Sequence, residues 1–146
     1  MNIKNIKDPS IAKEKFDYRL KIKEHLPYER WVEFINSKSD YFTWLEDTVE
    51  GKETLKNIEK IPESFREGVL KGHNKLKACA EKKKKKGYYE FIIQYNKKFG
   101  HVSTTFMKPI EKEHLKLLLE MAKYLDAYLL NNGTEIIDEN VLNEII

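Results

Sequence analysis

Five consecutive lysines, Lys82, Lys83, Lys84, Lys85 and Lys86, run into Gly87-Tyr88-Tyr89. Ammonium groups beside aromatic rings can hold phosphates while the rings stack on bases. The same charges can steer an acidic protein surface toward the chain. The plainest meaning is a solvated cationic loop that favours the negative end of a helix dipole. The chain has only three arginines, Arg19, Arg30 and Arg66. Bidentate recognition of phosphate and guanine favours arginine, so protein docking ranks above nucleic-acid binding as an active use.

A second group mixes large aromatics with carboxylates: Tyr41, Trp44, Glu46, Asp47 and Glu50. Tyr and Trp ringed by charge are common anchors of protein interfaces. Core packing with an acidic edge accounts for the same letters and is the commoner arrangement. His25, His73, His101 and His114 are scattered, with no pair at metal-ligand spacing on one helix. His101, beside Gly100 and near Ser103 and Thr104, offers acid-base chemistry together with Glu46 and Asp47, on residue type alone. The single cysteine, Cys79, reads as a small buried hydrophobe, and no disulfide can form within the chain. There is no phosphate-cradling glycine loop, no HExxH and no GxSxG. No metal, no cofactor and no catalytic residue is expected.

Charge is unevenly laid along the chain, whose formal net charge is +3. Residues 68–98 hold ten lysines against two glutamates, a local +8, whereas 40–67 and 99–146 each stand at −4 and 1–39 at +3. Hydrophobic residues make up 40% and aromatics 12%, too many for a disordered chain. No apolar stretch approaches the roughly 20 residues that span a bilayer. The amino terminus lacks the apolar core of a signal peptide. The expectation is a cytoplasmic protein in a reducing compartment.

These groups must be held by local elements. Phe16, Tyr18, Leu20 and Ile22 alternate with Asp17, Arg19, Lys21 and Lys23, the pattern of a strand with one wet face. Trp31, Phe34 and Ile35 follow Pro27 at helical spacing. Tyr41 to Leu45 reads as a strand. An amphipathic helix is expected from about Glu63 to the lysine run, through Phe65, Val69, Leu76, Cys79 and Ala80, with Gly68 and Gly72 marking close packing. Tyr88 to Tyr95 and Val102 to Phe106 read as an antiparallel hairpin around the turn 96–100. After Pro109, a helix with the stripe Leu115, Leu118, Ala122, Leu125 and Leu129 should run to the terminator Asn131-Asn132-Gly133. One more short helix is expected in the tail.

The order implies a single α+β domain over 1–146, with residues 1–14 as a flexible arm. Its sheet should be small and mainly antiparallel, with about three to four strands including the hairpin near 88–107, packed on three or four helices. A short, charge-segregated, lysine-rich domain without catalytic motifs resembles, in overall character, the small cytosolic immunity proteins of bacterial toxin systems. The resemblance implies a non-catalytic inhibitor that docks a protein partner by charge complementarity, and it carries no residue roles. The alternative is a nucleic-acid-binding module built on Lys82–Lys86, Lys97, Lys98, Tyr88 and Tyr89.

Overall fold

A computed structural model of the chain describes residues 2–80 and 89–145. It has the expected α+β class, with a larger sheet and more helices than the sequence suggests. Among the described residues, seven strands form one antiparallel sheet in the order β2-β3-β4-β5-β1-β6-β7. The strands are β1 (Pro9–Ala12), β2 (Phe42–Trp44), β3 (Lys77–Ala80), β4 (Phe91–Asn96), β5 (His101–Phe106), β6 (Tyr128–Asn131) and β7 (Glu135–Ile136). Five α-helices accompany them among the described residues: α1 (Tyr28–Ser37), α2 (Val49–Lys56), α3 (Glu63–Gly72), α4 (Lys112–Tyr124) and α5 (Glu139–Glu144). No helix among the described residues is long and apolar enough to cross a membrane.

The hairpin forms as the alternation requires. β4 pairs with β5 from Phe91↔Phe106 to Asn96↔His101, and Phe91, Ile93 and Tyr95 turn inward while the residues between them stay half-buried. Helix α1 starts after Pro27, and its buried Trp31, Phe34 and Ile35 join Leu115, Leu118, Met121 and Ala122 of α4 in one core. Tyr41–Leu45 contains β2, at the edge of the sheet.

Three local expectations are corrected. The alternating stretch 16–23 is not a strand: it holds only a 3-10 turn at Arg19–Lys21. The strand next to it is β1, inside the 1–14 stretch read as a loose arm, where it pairs with β5 on one side and β6 on the other. Pro9 opens that strand, the place in a strand where a missing N–H is tolerated. Second, α3 ends at Gly72, and Lys75 adopts a left-handed backbone (φ 53), so Ala78-Cys79-Ala80 becomes the buried strand β3. A short apolar run cannot be told from a helix by periodicity alone. Gly68 packs closely on nothing, since a Cβ there would meet no atom within 4 Å.

Third, α4 stops at Tyr124, because Asp126 turns left-handed (φ 52) and the Ala127 amide bonds back to Ala122 O at 2.8 Å. This is the helix-terminating geometry expected seven residues later. Asn132 (φ 53), Gly133 (φ 79) and Thr134 form the three-residue turn between β6 and β7, and Leu129 belongs to β6. Asn-Gly is as strong a hairpin signal as it is a helix stop. The short helix expected in the tail forms as α5, and β7 precedes it.

Candidate functional site

The stretch between β1 and α1, residues 13–27, is a loop whose ends are fixed and whose tip is exposed. At one end the Phe16 amide donates to Gly133 O at 2.8 Å, and the Phe16 ring stands edge-on to His101, centroids 5.5 Å apart. At the other, the Leu26 amide donates to Gly100 O at 2.8 Å, and Tyr95 Oη donates to Leu26 O. Ile22 and Leu26 are buried. Across the neck, Glu14 Oε1 accepts the amides of Lys23 and Glu24. Those two backbone bonds, Lys23 first, hold the Glu14 carboxyl below the usual range, with a smaller contribution from the Lys23 charge.

Between these fixings the chain makes one tight turn, closed by Lys21 N–H to Tyr18 O at 2.9 Å and Ile22 N–H to Arg19 O at 3.2 Å. The turn points its side chains outward: Leu20 is 79% and Tyr18 68% exposed, the highest values among the exposed large hydrophobics. Lys15, Arg19, Lys21 and Lys23 are exposed with Asp17 among them, a net +3 over residues 15–23. The Lys21 ammonium lies 5.4 Å from the Tyr18 ring centroid. Near the loop's neck, a surface depression of about 280 Å³ is lined by Lys13, Glu24, Asp126, Ala127 and Tyr128.

Two glycines let the rest of the fold approach this loop. A Cβ on Gly133 would come within 2.5 Å of Phe16 O, and one on Gly100 within 2.1 Å of the His25 ring. Both residues have positive φ, so a side chain is disfavoured on two counts. Gly133→Ala is therefore expected to cost about 1–3 kcal/mol and to release the loop at Phe16. Hydrogen exchange at the Phe16 amide should speed up while β4 and β5 stay protected. Unchanged Phe16 exchange would contradict this anchoring.

His101 lies under the loop, only 1% exposed, between the rings of Phe16 and Phe99. Its Nδ1 is enclosed without a hydrogen-bond partner among the described residues. Burial first, and the Arg19 charge second, lower its pKa from 6.5 to about 4. It is a neutral, enclosed side chain at neutral pH.

The residues singled out by sequence separate. Lys82–Lys86 and Tyr88 lie outside the described residues. Trp44 is buried, donating from Nε1 to Asn36 Oδ1 at 3.0 Å, with its ring edge on Trp31. Tyr41 is half-buried; its hydroxyl donates to Glu90 Oε2 at 3.3 Å, and burial, then the Glu90 charge, raises its pKa. Glu90 also faces His114 Nε2 at 3.4 Å, while His114 Nδ1 accepts the Glu111 amide at the start of α4. Glu46 Oε1 accepts the Lys75 amide at 2.9 Å, Asp47 is exposed, and Glu50 is half-buried in the first turn of α2.

His101, in β5, and Glu46, which binds the amide leading into β3, sit on opposite sides of β4. Cys79 is buried in β3. Among the described residues, no group of three or more His, Cys, Asp or Glu side chains is arranged to hold a metal ion.

Sequence reasoning missed Tyr18 and Leu20. Their signal was present as two large apolar residues set singly among charges, a pattern that serves a half-buried strand and an exposed turn equally well. Further exposed large hydrophobics are Val49 on α2 and Phe65 and Leu70 on α3. Searches against protein-family models, curated proteins and solved structures returned no significant match.

Proposed function

We propose that this chain is a non-catalytic binding protein that docks a macromolecular protein partner, and masks it, through the loop between β1 and α1. The observation that supports this reading is the exposure of Leu20 and Tyr18 on a turn whose backbone is tied down at both ends. A large apolar side chain on a rigid support loses little conformational freedom when it enters a pocket, so more of its burial appears as affinity. The likeness in overall character to toxin-immunity inhibitors supports masking as the mode of action. The uneven charge of the chain supports charge-guided docking.

Leu20→Asp tests the reading. The side chain is mostly in water, so stability should stay within about 0.5 kcal/mol of wild type. Affinity for a partner captured by co-expression with neighbouring gene products should fall by about 2 kcal/mol or more, roughly thirtyfold. A partner that binds both forms equally in calorimetry docks elsewhere, and the loop then has no part in recognition.

A further inference from the structure

We infer that the loop's receiving site is an acidic protein surface with an apolar pocket for Leu20, an assignment that rests on the docking reading above. The tip carries a net charge of +3 over residues 15–23. Lys15, Arg19, Lys21 and Lys23 are exposed, and among the described residues none of the four is ion-paired. In the neck, the Glu14 carboxylate is engaged by the backbone amides of Lys23 and Glu24. Asp17 alone offsets them within residues 15–23. A partner carboxylate therefore meets free cations, while a basic surface would be repelled.

Leu20 separates protein from the other anionic partners. Single-stranded nucleic acid takes affinity from stacking on rings and from phosphate contacts, and an exposed leucine supplies neither. A lipid surface is held by a broad apolar face, whereas this tip offers one leucine and one tyrosine on a single turn. An isolated aliphatic anchor rimmed by charge suits a shaped, partly apolar pocket.

The purified full chain can be immobilised and used to select binders from a random peptide library displayed on phage. Phosphatidylserine–phosphatidylcholine vesicles and oligothymidine serve as parallel probes. The expected peptides are acidic and carry an apolar residue. Their affinity should drop roughly tenfold between low and high salt, roughly tenfold again in Arg19→Glu/Lys21→Glu, and be lost in Leu20→Asp, with circular dichroism unchanged in each variant. The charge-reversed chain should select basic peptides instead. Neutral, salt-insensitive peptides that still need Leu20 would overturn the acidic assignment and leave the docking loop standing. Peptides that bind Leu20→Asp as well as wild type would overturn the loop reading itself. Leu20-dependent binding of vesicles or oligothymidine without any such peptide, or no Leu20-dependent binder at all, overturns the inference.

Discussion

Trp31→Ala is expected to lower the free energy of unfolding by about 3–5 kcal/mol, a large share of the roughly 5–15 kcal/mol that holds a domain together. Trp31 is fully buried on α1. Its ring meets Trp44 edge-on at 5.5 Å and Tyr95 at 5.8 Å, so it joins β2 and β4 to the helix that follows the β1–α1 loop. Truncation leaves a cavity between elements held in place by the rest of the sheet, and close-packed surroundings relax only in part.

Trp31 Nε1 has no hydrogen-bond acceptor among the described residues. Trp31→Phe should therefore cost clearly less than Trp31→Ala, because removing an unpaired buried N–H offsets part of the lost packing. Urea titration reads both through the midpoint at constant slope. A Trp31→Ala midpoint within error of wild type would mean that the core is centred elsewhere. Phe65→Ala is the contrast: Phe65 is 66% exposed on α3 and should shift stability by no more than about 0.5 kcal/mol.

The parts of the fold readable in the sequence are those where burial and local pattern agree. Phe91, Ile93 and Tyr95 alternate because one face of β4 is buried, and Trp31, Phe34 and Ile35 recur because one side of α1 is. Misreading arises where one local pattern serves two structures. Leu125 and Leu129 continue the stripe of α4, yet Asp126 accepts a left-handed backbone and places Leu129 in β6. Asn132-Gly133 ends a helix or closes a hairpin, and only pairing with β1 and β7 decides between them. β1 is four residues long and buried throughout, so it has no alternation to read.

The candidate site was hidden for a related reason. Phe16, Tyr18, Leu20 and Ile22 have the spacing of one strand face, but only Ile22 is buried, Phe16 is half-buried and the other two are exposed. What turns the segment into a loop lies far away in the chain: the Gly133 and Gly100 carbonyls take the amides of Phe16 and Leu26. Periodicity reports local preference, and tertiary hydrogen bonds of this kind override it. Trp44, by contrast, fits core or interface by residue type alone, and its contact with Trp31 places it in the core.

Acidification should destabilise the protein through His101 by about 3 kcal/mol, the worth of a shift from 6.5 to about 4. The folded pKa lies below the unfolded one, so the unfolded chain takes up the proton first. The stabilisation is complete above about pH 6.5, falls away as pH drops toward 4, and is gone below the folded pKa. Burial is the larger cause and the Arg19 charge the smaller. Titration of the His101 ring by NMR should therefore give a low midpoint, and Arg19→Gln should raise it only part of the way to 6.5. His101→Gln removes the titration, so the difference in unfolding free energy between this variant and wild type should slope with pH between 6.5 and 4 and flatten outside that window. Because the Phe16 ring rests on His101, the foot of the β1–α1 loop should loosen over the same range. Faster Phe16 exchange at pH 5 than at pH 7, after correction for intrinsic rates, is the expected sign. A His101 midpoint at or above 6.5 would show instead that the imidazole reaches water or an acceptor, and that the loop is not seated on a neutral ring.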